Sequence, residues 1–520
     1  MGTGKQYIAI TLGPISRIMS YTQSTKSFWR ASYFMSYLGK QLITDFFNKK
    51  RTFLKPQLND EMWTLKDGVG RFPDQYIFAA EDKDYEEVLA KRVEVLQLLS
   101  QQIAKSLSHK KPTAKDEVYA YLKDTLKIYI LEYTDSSEEQ SNNNPQDAKE
   151  GNTQSHNIRI VEKCQKALSV MECQDIYPLR CERNYLAEYF EMDMRDDDFL
   201  LNDAFFKEGK VDSSNIKYQL FKSIIEITAV KAIEEGKISK TGIYKDKNIA
   251  DLAPKYKYIA FVSADGDNVG KTIGKLGTKM SNVLWEYSKS LTGLVEDRGG
   301  MVIYSGGDDL VLFAPAANIF QLINEIDKKF QSLIKDKGID KELKEINSPL
   351  PTLSFGVSMS YYKYPMSESL QKAESLLYEA KDTGRNRIAW SVRKHSGQST
   401  DSVFDKNQEG IFNNALDMIN FYKLQKAEKG EDVFLHSFAH YLLQHQEMLA
   451  HILRQKQAPQ LIQNYTKTTF DDTAHNYEES LDRPIKYLLD LSSKEENKEA
   501  VIQKLYSLLR YIELFIVKEK

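Results

Sequence analysis

At 520 residues the chain is too long for one ordinary core, and roughly two to four domains are expected. It is 41% hydrophobic and 28% charged, the balance of a globular protein in water, and no apolar run is long enough to span a bilayer. The net charge of −3 does not advertise nucleic-acid binding, and the N-terminus lacks the basic segment and apolar core of a secretory leader, so a cytoplasmic location with no membrane partner is expected.

The first segment alternates strand and helix. Residues 7–12 are a short apolar strand closed by Gly13 and Pro14, and Pro14 suits the first turn of a helix. Apolar periodicity then runs from 15 to 47. Residues 76–80 read as a second strand, 85–107 as a charged helix and 128–133 as another strand. This alternation indicates a layered α/β or α+β domain over residues 1–134. Residues 135–157 have almost no apolar content, cannot offset the entropy of ordering, and are expected to be a disordered loop.

Residues 158–250 form a mainly helical insert that carries Cys164, Cys173 and Cys181. An odd, sparse set of cysteines argues against disulfides and fits a reducing compartment. No CxxC pair is present, so these thiols are expected to be buried or incidental, and zinc, even with His156 as a ligand, is not expected.

A second strand–helix segment covers residues 251–395. Strands are expected at 258–264, 301–304, 310–314, 353–360 and 387–390, and helices at 268–298, 319–334 and 367–381, the last ended by Gly384 as a C-cap. The order βαββαβ with an appended helix and strand is that of a ferredoxin-like palm. The N-terminal segment can be read in the same order. The expected fold class is therefore α+β, with two ferredoxin-like palms, a helical insert and a C-terminal helical bundle. That bundle covers residues 402–520, with helices at 411–426, 432–454, 484–491 and 498–517. His436, His440 and His445 lie there without acidic partners or metalloprotease spacing, so packing or surface roles are expected.

The chemistry concentrates in the second palm. Ser305, Gly306, Gly307, Asp308 and Asp309 sit between two short apolar strands. The glycines supply the positive φ of a tight hairpin and leave room for a ligand against the backbone. Adjacent carboxylates raise each other's pKa unless a cation neutralises them, and Mg²⁺ favours such oxygen ligands. Asp265 ends the strand at 258–264 and is expected to meet Asp308 across the sheet. Asp265, Asp308 and Asp309 are thus the candidate catalytic and metal-binding residues, able to hold two Mg²⁺ or Mn²⁺ ions for in-line phosphoryl displacement. Gly266, Asp267 and Gly270 form a loop into a helix N-terminus, where backbone N–H groups can take phosphate oxygens; Asp267 can equally cap that helix. Lys381 and Arg385, one helical turn apart, can present two cations to a triphosphate.

Two other readings compete. Gly and Asp are ordinary turn formers, and the hairpin alone could be an exposed turn. Gly266 to Thr272 also resembles a phosphate loop, but it is one residue short of G-x4-G-K-[ST].

These blocks resemble the nucleotide-cyclase palm shared by GGDEF diguanylate cyclases and the large subunits of type III CRISPR complexes. Ile10 to Ser16, Ser27 to Leu38 and Arg71 to Tyr76 are similar to the first palm of the III-B (Cmr) large subunit. The resemblance implies an RNA-guided complex in which target RNA switches on synthesis of a nucleotide second messenger from ATP. The product would be a cyclic oligoadenylate, or AMP joined to S-adenosylmethionine as co-substrate, and guide and target RNA would be held through other subunits. By motif match Asp265, Asp308 and Asp309 carry over as metal and catalytic residues, and Lys381 and Arg385 as phosphate contacts. No His-Asp dipeptide occurs, so no HD nuclease site is expected. A catalytically silent scaffold and a stand-alone diguanylate-type cyclase are the alternatives.

Overall fold

Two sheets with one strand order organise the chain. The computed structural model describes residues 5–13, 15–135, 150–173, 183–195, 197–205, 222–239, 249, 251–408, 410–424, 431–470 and 478–517. Strands β1 (Lys5–Thr11), β2 (Phe53–Lys55), β3 (Gln75–Ala80) and β4 (Tyr129–Asp135) pair in the order β2-β3-β1-β4. The alternation of β1 explains its burial on both faces. Ile8 and Ile10 enter the core beneath helices α1 (Thr25–Asn48) and α2 (Asp84–Ser108). Tyr7 and Ala9 enter a second core, and helix α4 (Glu150–Cys173) covers it with Ile160, Val161, Cys164 and Leu168. A short helix α3 (Lys115–Thr125) precedes β4.

Several expectations are corrected here. The helix expected from 15 to 47 is interrupted after a short turn of helix, Ile15–Met19, and restarts at Thr25. Ser24 is the reason: its hydroxyl accepts from Ser27 N–H at 3.2 Å in a capping box, which favours a new helix start over continuation. Residues 136–149 of the expected loop lie outside the described residues. Residues 150–157 are helical, because they continue into the apolar face of α4, where Ile158 fills the space left by Gly274.

The second sheet comprises β5 (Tyr258–Asp267), β6 (Met301–Gly306), β7 (Asp309–Pro315), β8 (Thr352–Tyr361), β9 (Arg387–Arg393) and β10 (Ser399–Asp405), in the order β10-β9-β8-β5-β7-β6. Four of its strands, β8-β5-β7-β6, repeat the order of the first sheet, so both halves are ferredoxin-like palms in an α+β fold. The helix expected at 268–298 is two, α5 (Val269–Leu276) and α6 (Thr278–Glu296), broken at Gly277 with φ +46°. Helices α7 (Ile319–Asp336) and α8 (Met366–Asp382) complete the layer. Gly356 lets α8 lie directly on β8; a Cβ there would overlap the carbonyl of Ala373 and the backbone of Leu377.

β10 was expected to belong to the helical region beginning at 402. It is a strand because Phe404 packs between Phe320 and Trp390, at 5.1 and 5.7 Å between ring centroids. Helices follow from α9 (Ile411–Leu424) onward and include Ala458–Phe470, which periodicity did not indicate. In this bundle His436 pairs with Glu513 at 3.1 Å, and His445 shares a hydrogen bond with the Tyr465 hydroxyl at 3.0 Å. Cys164 is buried, its thiol pushed up to about 11 by burial, whereas Cys173 is exposed and Cys181 lies outside the described residues. Among the described residues no helix is long and apolar enough to cross a membrane.

Candidate active site between the two palms

The β6–β7 hairpin closes in two residues, since Gly306 pairs with Asp309. Gly307 takes φ +68°, as the first central position of a type II′ turn requires. Gly306 serves a different purpose from the one expected. Its φ is not positive, and a Cβ there would collide with the hydroxyl of Tyr304.

Asp265, Gly266 and Asp267 continue β5 and pair with Ser354, Leu353 and Thr352 of β8. On the other side β5 pairs with β7 up to Ala264 opposite Leu310. That register brings Gly266 against Asp308: a Cβ on Gly266 would lie 2.8 Å from both Cβ and Oδ2 of Asp308. The four acidic residues of DGD and GGDD therefore share one end of the sheet. Their roles differ. Asp265 is 26% exposed and forms an ion pair with Lys381. Asp267 is 1% exposed and faces inward, accepting hydrogen bonds from Thr352 Oγ1 (2.9 Å), Ser354 Oγ (2.8 Å) and the backbone N–H of Asn386 (2.9 Å). It does not cap α5, whose N-cap is Asn268.

Asp308 and Asp309 are half-buried and both hold their protons more tightly than an ordinary carboxyl. Burial is the main cause for each; Asp267 adds to it for Asp308, and Asp308 and then Asp74 add to it for Asp309. Asp74, at the start of β3 in the first palm, is raised to about 6, first by burial, with contributions from Glu172 and Asp308. Lys55, at the end of β2, is the cation that opposes the rise in all three. Lys381 is lowered to about 8 by burial, then by Arg385 and Lys55.

Lys381 ends α8, but Arg385 is not on the same helix. Gly384 closes it in a Schellman arrangement, with Arg385 N–H donating to Ala380 O at 3.0 Å and Gly384 N–H to Lys381 O at 3.3 Å. Arg385 and Asn386 follow with φ +62° and +51°, and Arg385 is exposed. Gly270 sits exposed in the first turn of α5 with open space around it. Ser305 points inward instead, donating from Oγ to Ser288 Oγ at 2.9 Å. The competing phosphate loop finds no support in the geometry of Thr272, which is buried and donates its hydroxyl to Asn268 O.

Sequence reasoning did not single out the first-palm half of this site. A cleft of about 770 Å³, its mouth included, runs between Lys55, Asp74 and their neighbours on one side and Asp308, Asp309 and α6 on the other. The two walls are bonded together. Arg71 is tied to Asp67 at 2.6 Å and reaches Thr292 of α6 at 3.2 Å, and Glu61 accepts from Trp285 at 2.7 Å. The only sequence signal was that Asp74 stands immediately before an apolar strand end, inside a block already similar to a known first palm.

Among the described residues no three His, Cys, Asp or Glu side chains form a ready metal cage, since Asp265 is turned to Lys381. The donor chemistry nonetheless fits a divalent cation. Asp308 and Asp309 are disfavoured as anions by burial, with Asp267 adding to it for Asp308 and Asp308 for Asp309, and a hard cation relieves these penalties.

Comparison with known proteins shows what this geometry is similar to. Residues 258–389 match the Cas10/Cmr2 second palm domain. The CRISPR system Cmr subunit Cmr2 of Pyrococcus furiosus is 26% identical over 202 residues, covering 32% of this chain and 22% of that one, so the match spans about a fifth of that relative. The fold is shared with a chain of the type III-B Cmr-beta complex in its apo state, at TM-score 0.52 and 12% identity over 82% of this chain and 76% of that one. It is shared also with a chain of the Csm1–Csm4 cassette in complex with cA4, at TM-score 0.53 and 12% identity over 99% of this chain and 70% of that one. The second palm is thus similar in sequence to that of Cas10/Cmr2, and the backbone as a whole shares its fold with chains of type III complexes.

Proposed function

We propose that the chain uses ATP for nucleotidyl transfer within an RNA-guided CRISPR complex, making a second messenger that is a cyclic oligoadenylate or an AMP conjugate of S-adenosylmethionine. Guide and target RNA would be held through other subunits. What supports this reading is that Asp308 and Asp309 line one cleft with Asp74 and Lys55, at the end of the sheet where β5 carries Asp265, the ion-pair partner of Lys381. One wall offers acids and a cation for a triphosphate; the other offers an acid for an acceptor. The Csm1–Csm4 relatives bound to cA4 and cA3 favour the oligoadenylate product.

Asp265, Asp308 and Asp309 would hold Mg²⁺ or Mn²⁺, two per site, which when bound neutralise the triphosphate and acidify an attacking hydroxyl. Lys381 and Arg385 bind phosphate oxygens and orient the leaving pyrophosphate. Asp74, poised near 6, accepts a hydrogen bond or proton from the acceptor. Asp267 holds β8 and the Asn386 backbone to β5, and so positions Arg385. The attacking oxygen forms a bond to the α-phosphorus as the bond to pyrophosphate breaks.

The test is mass spectrometry of products from ATP, with and without S-adenosylmethionine, in the target-bound complex. Pyrophosphate and an adenylate product are expected, and both should vanish in the Asp308→Ala, Asp309→Ala double variant while its melting temperature holds. No turnover in the assembled complex would make the chain a scaffold; a preference for GTP would make it a diguanylate-type cyclase. Release of phosphate instead of pyrophosphate would point to the phosphate-loop reading.

A further inference from the structure

One cation of the cleft has no task in the transfer proposed above. Lys55 ends β2 and lines the cleft from the first-palm side. We infer that Lys55 holds phosphate oxygens of a nucleoside triphosphate in the cleft, which rests on that transfer, and that both palms thereby grip one phosphate chain.

The strand delivers this side chain to the cleft. Phe53 packs into the core beneath α1 and α2, and strict alternation would return Lys55 to the same face. The register slips between them, from Phe53 opposite Phe78 to Lys55 opposite Ile77. A slip of this kind re-aims the side chain that follows it, and here it spares the core a buried ammonium.

Lys55 is half-buried, yet among the described residues its ammonium makes no hydrogen bond and no ion pair. Three carboxylates stand around it all the same. After burial, Lys55 is the strongest influence on Asp74 and on Asp308, and it acts on Asp309 as well, in each case favouring the anion. A cation that feels three acids and contacts none of them leaves the space of the cleft between itself and them. Arg71, the other cation of the lining, is already committed. Its terminal nitrogens donate to both oxygens of Asp67 at 2.6 and 2.7 Å, and one of them also to the Ser288 carbonyl at 3.4 Å.

The second palm brings a matching cation to the same place. Lys55 acts on Lys381 as a like charge, so ammonium groups from two palms approach each other beside the acids. Like charges in a partly desolvated cleft are relieved by an anion between them. A triphosphate carrying a divalent cation answers both needs: the metal serves the carboxylates, and the phosphate oxygens serve the lysines.

The test is calorimetric titration of the full chain with α,β-methylene-ATP and Mg²⁺, since this analogue cannot release pyrophosphate. Saturable binding is expected. Lys55→Met should weaken it by about 10- to 100-fold, the worth of one hydrogen bond to a charged group, with helix content unchanged by circular dichroism. Lys55→Arg should restore most of the affinity, because the guanidinium also donates to phosphate. Binding by Lys55→Met within about twofold of the parent overturns the inference, and so does a loss that Lys55→Arg leaves as large. Such a result beside pyrophosphate release from ATP in the target-bound complex leaves the transfer standing. Binding that depends on Lys55, with no pyrophosphate from that complex, sinks the transfer and keeps the phosphate grip. A parent that does not bind the analogue overturns both.

Discussion

The backbone N–H of Ser305 donates to the carbonyl of Gly70 at 3.0 Å, so the first palm adds a bridge to the strand that carries the second palm's acidic hairpin. Ser32 Oγ reinforces it by donating to Ile303 O at 2.9 Å. Gly70 is what allows the approach, since a Cβ there would lie 3.1 Å from Ser36 Cβ and 3.4 Å from Ser32 O. Gly70→Val should push the palms apart at the cleft. Because misplacement by about 1 Å costs on the order of 100-fold in an oriented reaction, pyrophosphate release should fall by roughly 10- to 100-fold. Parent-like turnover would show that this seam does not set the cleft.

Gly266 and Asp308 make a sharper test inside one palm. A methyl on Gly266 would sit 2.8 Å from Asp308 and overlap Val269. Gly266→Ala should therefore displace the Asp308 carboxylate, and turnover should drop by about 100-fold or more with helix content unchanged by circular dichroism. Turnover within about twofold of the parent would mean that the proposed transfer does not need Asp308 at its observed place.

Much of this was legible. The strands at 258–264, 310–314 and 353–360 are apolar runs, and a hairpin with Gly and Asp at its tip has few other folds. What escaped was set by tertiary contact. β10 is polar in sequence and becomes a strand because Phe404 finds Phe320 and Trp390. Asp267 looks like a helix cap from its spacing, yet its register opposite Thr352 turns it into the core. Arg385 is spaced one helical turn from Lys381 in sequence, and the Gly384 turn takes it off that helix. Asp74 and Lys55 reach the acids only because the palms dock, and no local pattern encodes docking.

Asp74 should reveal itself through stability. Its folded value of about 6 lies above the ordinary 3.8, so the folded state holds the proton more tightly. The protonated group's advantage is full below about 4 and is lost as pH rises through about 6. At pH 7 the parent carries the cost of a buried carboxylate, on the order of 1–3 kcal/mol. Asp74→Asn should raise the melting temperature at pH 7 and lose that gain near pH 4. A difference independent of pH would contradict the shift.

Asp267→Asn tests positioning apart from charge at the cleft. The carboxylate accepts from two hydroxyls and one backbone N–H, whereas an amide offers one oxygen and places donors against donors. A loss of about 1–3 kcal/mol in stability is expected. The KM for ATP should also rise, because the Asn386 turn that carries Arg385 loosens. Lower stability with unchanged KM would make Asp267 structural only.

Lys381 gives the alkaline side of the activity profile. Its value of about 8 means that the ammonium, the form able to hold phosphate, declines above that pH in the free protein. kcat/KM for ATP should fall above pH 8, and the limb should move upward in kcat, since bound triphosphate favours the charged lysine. Lys381→Arg keeps its charge throughout, so the variant should lose the alkaline limb even if its maximum is lower. The stability effect runs the other way. The folded lysine sheds its proton before the unfolded one does, so the cost of burying its charge disappears between about pH 8 and 10.5. A Lys381→Met protein should thus be the more stable below pH 8, with the gap closing as pH rises. An alkaline limb that persists in Lys381→Arg would assign the titration to another group.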